Sequence, residues 1–257
     1  MKLQGRVALV TGASSGLGYA VTRRFAEAGV SIVAMARDKG RLDVLKSIVE
    51  PERLLIFAGS VAEEADVAAV LEKANERFGD IHIVVNCAGV AATAKTVSKA
   101  GPCPLELWNK VIATNLTGTF NVIRLAASRM VANAPDEEGE RGVIITTSSG
   151  AAWQGQIGQA AYSASKAGVM GLTLPVARDL APHGVRVVDV APGLFETAMV
   201  DGIPQQALQA TIDRIMLFPR RMGRAHEYAA LVQTVVENNY LNATTISLDA
   251  GARTGSR

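Results

Sequence analysis

Short runs of aliphatic and β-branched residues alternate along the chain with longer segments whose apolar positions recur every three or four residues. The first run, RVALVTG, is apolar without a break and ends on glycine, as a strand buried on both faces does. LGYAVTRRFAEAG follows, with Leu17, Val21 and Phe25 on one helical face and Gly29 as its stop. The alternation continues with SIVAMAR as a strand, KGRLDVLKSIVE as a helix that Pro51 ends, and RLLIFAGS as a strand. EADVAAVLEKANERFG is the next helix and IHIVVNCAG the next strand. A helix from about Leu105 to Asn133, the strand GVIITTSS, a helix from about Gln159 to Leu180 and the strand VRVVDVAPG complete the series.

Strands separated by helices of about 10–15 residues predict βαβ units. The expectation is an α/β chain with a doubly wound Rossmann fold. Its parallel sheet of about seven strands would carry helices on both faces. Residues 1–257 read as one dinucleotide-binding and catalytic domain, without repeats or low-complexity tracts. Val90–Pro104 and Asn133–Gly142 read as surface insertions. Residues 194–219 read as an irregular segment long enough to be a substrate loop. Pro175 falls inside a predicted helix and should kink it, since it removes a hydrogen bond and crowds the carbonyl of Gly171.

Composition narrows the function classes. With 49% hydrophobic residues and 24 glycines, the chain suits buried parallel strands joined by tight turns. A net charge of +2, with no run of Lys and Arg, argues against nucleic acid or a membrane surface as the main partner. No apolar run reaches the roughly 18 residues of a membrane helix. The first strand starts almost at Met1, so no signal or transit peptide is expected and the cytoplasm is the expected compartment. Cys87 and Cys103 are too few for a disulfide framework, which fits a reducing compartment. His82, His183 and His226 are scattered, and no metal site is expected.

TGASSGLG, Thr11 to Gly18, stands where the first strand meets the first helix. Gly12, Gly16 and Gly18 permit a tight turn and close approach to a diphosphate, with Ser14, Ser15 and Leu17 between and beside them. The helix N-terminus offers free N–H groups and a partial positive charge to that anion. Together with NCAG at Asn86–Gly89 and Tyr162-x-x-x-Lys166, this Gly-x-x-x-Gly-x-Gly turn resembles the short-chain dehydrogenase/reductase family over nearly the whole chain. The three motifs in this order and at these separations are what make the likeness specific.

The resemblance implies a nicotinamide cofactor. Asn86 would steady the sheet beside it, with Ala88 and Gly89 following. Ser60 and Val61 would lie at the adenine. Pro192, Gly193 and Leu194 would shape a turn after the sixth strand, and Thr197 would bond the nicotinamide amide. A chain that prefers NAD ends its second strand with an acid that binds the ribose hydroxyls. Here Ala36 takes that place and Arg37 follows, a pairing suited to a 2′-phosphate. NADP(H) is therefore favoured and NAD(H) is the alternative, in which Asp38 takes the acidic role.

Tyr162 and Lys166 lie one helical turn apart and can address one point. Ser149 lies at the carboxyl end of a strand, where open α/β sheets bind ligands. Reducing a carbonyl needs a hydride at carbon and a proton at oxygen. A free phenol, with pKa about 10, is a poor proton donor and acceptor at neutral pH. A cation about 4 Å away contributes about 4 kcal/mol at an effective dielectric near 20, enough to change that. Tyr162 is the expected acid and base, Lys166 its modulator, and Ser149 the binder of the substrate oxygen, with Ser148 as its rival. The resemblance adds Asn115, in TNLTGTFNV, as support for a water that links Lys166 to solvent. Ser163 and Ser165 read as helix-surface residues.

Within the family, GTFNVIRL, GQAAYSASK and TLPVARDLAP most resemble the 3-hydroxyacyl-CoA dehydrogenase branch, some of whose members also act on hydroxysteroids. That branch uses NAD, with Asp in place of Ala36 and an acid in place of Ser60. Trp153, Gln156 and Leu194 lie beside the expected carbonyl site, and the branch places a glutamine facing the substrate where this chain has Gln156. The alternatives for these are a lid-packing Trp153 and a surface Gln156. The expected activity is interconversion of a 3-hydroxyacyl-CoA and its 3-oxo form. A 3-oxoacyl-acyl-carrier-protein reductase, or another NADPH-dependent ketone or steroid reductase, is the alternative. A catalytically idle cofactor-binding regulator is a second. The resemblance also implies a small-molecule substrate and a homotetramer, to which the closing segment ISLDAGARTGSR could contribute.

Overall fold

The computed structural model describes residues 1–197 and 204–254. Seven strands form one parallel sheet: β1 Val7–Thr11, β2 Ser31–Ala36, β3 Leu54–Ala58, β4 Ile83–Asn86, β5 Gly142–Thr147, β6 Val185–Pro192 and β7 Thr244–Leu248. Their order is β3-β2-β1-β4-β5-β6-β7, so the direction of winding reverses between β1 and β4. In register, Thr11 stands beside Met35 on one flank and Asn86 on the other. The helices are α1 Gly16–Glu27, α2 Lys39–Leu42, α3 Glu64–Phe78, α4 Leu105–Ile112, α5 Gly118–Met130, α6 Ala160–Leu180, α7 Gln205–Ile215 and α8 Ala225–Glu237.

Side chains of a strand point alternately to its two faces, and the two cores follow that alternation. Ala8, Val10, Ile145 and Val188 pack against Val21 and Phe25 of α1 and Tyr228, Val232 and Val236 of α8. Val7, Leu9, Ile144 and Val187 pack against Val67 and Leu71 of α3, Val122 and Met130 of α5, and Val176 of α6. This is the doubly wound α/β sheet that the strand–helix alternation predicts.

Several expectations are corrected. The helix expected from Lys39 is one α turn followed by a 3-10 segment, Asp43–Ser47. Leu42 and Leu45, both fully buried, are three residues apart, which matches the 3-10 repeat. The irregular segment expected at 194–219 contains α7, whose Leu208, Ile212 and Ile215 face Met216, Leu194 and Ala252. Part of that expected loop, residues 198–203, lies outside the described residues. The insertion expected on the surface at 133–142 buries Asn133 and Glu140, and Glu140 pairs with Arg186 of β6 at 2.8 Å. Val90–Pro104 folds a small antiparallel ladder, Val97–Ser98 against Gly101–Pro102. α6 continues through Pro175 without interruption, and Gly171 and Pro175 both lie on its exposed face, where water can serve the freed carbonyl.

Candidate active site

The glycine turn sits at the reversal point of the sheet, at the carboxyl ends of β1 and β4. Gly12 has φ of +67°, and a Cβ there would lie 2.8 Å from the backbone of Cys87 and Ala88. A Cβ on Gly18 would lie 2.4 Å from the Gly12 carbonyl oxygen. Only hydrogen fits at either place, so the turn closes against the chain leaving β4. Thr11 Oγ1 accepts the Ala88 N–H at 3.2 Å and locks that approach. Ser15 is the N-cap of α1 but caps no N–H with its side chain, and no acidic residue stands in the first turn. The helix therefore turns uncapped N–H groups toward the crevice, a fit for a dinucleotide diphosphate. Gly16 has φ of +53°, and a Cβ there would lie 3.2 Å from Cγ2 of Thr197, so Thr197 reaches the same turn from beyond β6.

At the carboxyl end of β2, Ala36 is half-buried and Arg37 exposed. The Asp38 carboxylate accepts the Arg41 N–H at 3.1 Å and pairs with the Arg41 guanidinium at 3.6 Å, so it is engaged as the cap of α2. Across the crevice, Ser60 N–H donates to the Asp66 carboxylate at 2.8 Å. Val61 is buried, and its carbonyl accepts from the Asn121 amide at 3.0 Å. Asn86 is buried at the end of β4, and neither polar atom of its side chain has a partner among the described residues.

α6 carries Tyr162 and Lys166 on one face, with the Lys166 Nζ 5.8 Å from the centre of the Tyr162 ring. Lys166 is buried, and its ammonium donates to the Thr147 carbonyl at 2.7 Å, fixing it under the end of β5. Asn115 belongs to a π turn, Ala113–Thr117, that joins α4 to α5. Such a turn widens the helix by one residue and is common at functional sites. The Asn115 Oδ1 accepts the Val90 N–H at 2.8 Å, and Nδ2 donates to the Val90 carbonyl at 2.9 Å and to Ser165 Oγ at 3.1 Å. Ser165 in turn donates to the Tyr162 carbonyl at 2.7 Å. Ser165, expected on the helix surface, is fully buried and ties Asn115 to the tyrosine's own backbone. Ser163, expected there too, has its hydroxyl buried with no partner among the described residues.

The two serines after β5 part company. Ser148 is buried, and its hydroxyl and N–H both go to the Asp189 carboxylate. Ser149 is half-buried; its Oγ accepts the Ala151 N–H at 3.2 Å, which leaves its proton free to donate. Trp153 and Gln156 are both exposed. Gln156 lies, with Lys95, Val97, Ile157, Gln159 and Ser163, on a cleft of about 540 Å³. Leu194 instead packs into the cluster around α7. Pro192 ends β6, and the Gly193 N–H donates to the Leu248 carbonyl of β7 at 2.9 Å.

Three residues near the site escaped sequence reasoning. Thr147 Oγ1 and Tyr228 Oη lie 2.7 Å apart behind Lys166, with Cys87 Sγ 3.8 Å from Tyr228 Oη. Desolvation pushes the Cys87 thiol up and the Tyr228 phenol well up, so both stay neutral. Asp189, the one acid within the otherwise apolar stretch VVDVAP, is the other; its placement inside a buried strand was the available signal. Among the described residues, no three His, Cys, Asp or Glu come together as metal ligands, and no helix is long and apolar enough to cross a membrane.

The short chain dehydrogenase family model matches residues 6–208. The chain is 46% identical over 254 residues to the 3-hydroxyacyl-CoA dehydrogenase type-2 of Bos taurus, covering 98% of this chain and 96% of that protein. It is 34% identical over 255 residues to a 3-oxoacyl-acyl-carrier-protein reductase of Thermotoga maritima, covering 98% and 99%. The crystal structure of a 3-hydroxyacyl-CoA dehydrogenase type-2 from Mycobacterium avium superposes with a TM-score of 0.92 at 34% identity, over 98% of each chain.

Proposed function

The chain belongs to the short-chain dehydrogenase family, and from that premise we propose that it interconverts a 3-hydroxyacyl-CoA and its 3-oxo form with a nicotinamide cofactor. The observation that carries the reading is that the chain leaving β5 and the first turns of α6, joined by the Lys166–Thr147 bond, carry three groups between them. These are a hydroxyl with a free proton on Ser149, the phenol of Tyr162, and a buried ammonium on Lys166 held by the Thr147 carbonyl. The likeness to the Bos taurus enzyme supports the acyl-CoA substrate.

When bound, the nicotinamide supplies or accepts the hydride at the substrate carbon. Gly12, Ser14, Ser15, Gly16, Leu17 and Gly18 would hold its diphosphate against the uncapped end of α1. Asn86, Ala88, Gly89, Pro192, Gly193, Leu194 and Thr197 would flank its ring side. In the reducing direction, Ser149 donates a hydrogen bond to the carbonyl oxygen and stabilises the charge that gathers there. Tyr162 gives its phenolic proton to that oxygen. The Lys166 ammonium balances the phenolate left behind, and Asn115 holds the loop after β4 beside it, where it would support a water leading to solvent. Gln156 would meet the acyl portion in the cleft. The reading treats residues 1–257 as one catalytic unit, supported by the two cores that share one sheet.

NADP(H) is the proposed cofactor, since Arg37 follows Ala36 and Asp38 is engaged as a cap. Ser60 and Val61 would line the adenine. That choice also favours the second reading, a 3-oxoacyl-acyl-carrier-protein reductase. A non-catalytic regulator is disfavoured because the sequence keeps Asn115, Ser149, Tyr162 and Lys166. A homotetramer in the cytoplasm completes the proposal; exposed Leu105, Trp108, Phe120 and Leu174 on α4, α5 and α6 are surface suited to a second copy. Acetoacetyl-CoA and acyl-carrier-protein thioesters, each with NADPH and NADH, should change absorbance at the nicotinamide band. Turnover that survives Tyr162→Phe defeats the mechanism.

A further inference from the structure

Asp189 is fully buried on the face of β6 whose other members, Val185 and Val187, are apolar. Thr146 of β5 and Thr245 of β7 stand abreast of it in register, one on each flank. Its carboxylate accepts from the Thr146 hydroxyl at 2.9 Å and from the Ser148 N–H at 3.0 Å on one oxygen, and from the Ser148 hydroxyl on the other. The Thr245 hydroxyl, on the other flank, also favours the ionised carboxylate. No ion pair to Asp189 occurs among the described residues. Desolvation raises its pKa, and the surrounding hydroxyls and the Ser148 N–H oppose that rise.

An apolar side chain would fill this place without any desolvation cost, so a lone buried carboxylate is a poor choice for stability. What it does accomplish is geometric. All three hydrogen bonds to its carboxylate come from Thr146 and Ser148, directly before Ser149. Successive residues of a strand point to opposite faces, so fixing Ser148 toward Asp189 turns Ser149 the other way.

We propose that Asp189 is a positioning residue for Ser149: it withdraws the Ser148 hydroxyl from the substrate and fixes the end of β5, so that only one of two adjacent serines presents a free O–H. The proposal rests on the reading of Ser149 as the binder of the substrate oxygen. A displacement of about 1 Å at such a group can cost about a hundredfold in rate, so even modest loosening is measurable.

The test is a cycle of Asp189→Asn and Ser149→Ala, read as kcat and KM with acetoacetyl-CoA and NADPH, with NADPH affinity measured separately by fluorescence. Asp189→Asn should lower kcat by about tenfold in the native background and by less than about twofold when Ser149 is already alanine, with NADPH affinity unchanged in both. An equal loss in both backgrounds, or no loss in the native one, overturns the proposal. If Asp189→Asn does not fold, Thr146→Val replaces it, with a smaller loss that again vanishes beside Ser149→Ala; an additive loss overturns the proposal equally. Absence of turnover in the unmodified protein overturns the functional reading and this role with it, whereas additive losses with turnover present overturn only the role of Asp189.

Discussion

The side-chain amide of Asn115 and the backbone of Val90 bond each other in both directions, at 2.8 and 2.9 Å. The pair stitches the π turn between α4 and α5 to the loop leaving β4. A Cβ on Gly89, one residue before Val90, would lie 3.4 Å from Asn115 Oδ1 and 3.7 Å from Lys166 Nζ. The stitch therefore forms the wall beside the lysine. Both donors and one acceptor position of the amide are used, so the side chain holds this wall firmly.

Asn115→Leu keeps the size and deletes all three bonds, leaving the Val90 N–H and carbonyl without their partners. Buried groups left unsatisfied cost about 1–3 kcal/mol each. The variant should melt several degrees lower and lose kcat through the slackened Lys166 wall. Asn115→Asp keeps the acceptor and loses the donors, and should fall between the two. A melting curve and kcat measured on both variants check the order.

Gly12 and Gly5 share a left-handed backbone, with φ of +67° and +77°, but only Gly12 is crowded. Gly5→Ala meets nothing within 4 Å and should cost about 1 kcal/mol of stability for the backbone alone, with cofactor affinity unchanged. Gly12→Ala must push the Cys87–Ala88 backbone out of the crevice, so quenching of protein fluorescence by NADPH should disappear. Equal NADPH affinity in the two variants would refute the placement of the dinucleotide at this turn.

Arg37→Asp should invert the coenzyme preference. A hydrogen bond to a charged group is worth about 1.5–3 kcal/mol, a factor of about 10–100. The ratio of kcat/KM for NADPH to that for NADH should fall by at least the lower bound. With Asp38 engaged by Arg41, the proposed NADP(H) preference predicts that the unmodified protein uses NADH less well.

The sequence was most legible where burial is complete and uniform. β1, β4, β5 and β6 are buried along their whole length, so apolar residues dominate them, and their glycine and proline boundaries are sharp. β7 was not located because none of its side chains is fully buried, and TTISL reads as half-polar accordingly. The π turn at Asn115 leaves no mark, since ATNLT keeps ordinary helical spacing and the extra residue is set by tertiary contacts to Val90 and Ser165. Tyr162 and Lys166 were readable because their relation is local, one turn of one helix. That Ser148 is engaged follows from Asp189, 41 residues away along the chain, and only the paired strands reveal it.

His82 gives the fold a pH dependence whose sign can be derived. It is half-buried between β4 and the strand beside it, and its Nδ1 accepts the Val7 N–H at 3.3 Å, which requires the neutral ring. Desolvation lowers its pKa below the usual 6.5, Arg6 acts in the same direction and Asp80 opposes it. Between the lowered folded value and 6.5 the unfolded chain binds more protons, so stability rises with pH there. The His82 contribution is complete above 6.5 and is lost as pH falls through the window below it. One proton of difference limits the slope to about 1.4 kcal/mol per pH unit. Asp189 acts with the opposite sign, because its raised carboxyl pKa gives stability that is lost as pH rises from the ordinary carboxylate range. The comparison of unmodified protein with His82→Asn, which keeps an acceptor for Val7 and cannot titrate, cancels that term. Urea unfolding at pH 7.5 and 5.5 should show the unmodified protein losing more stability than His82→Asn across the interval. Parallel losses in the two proteins would mean that His82 is protonated in the folded state and that the Val7 bond does not hold it neutral.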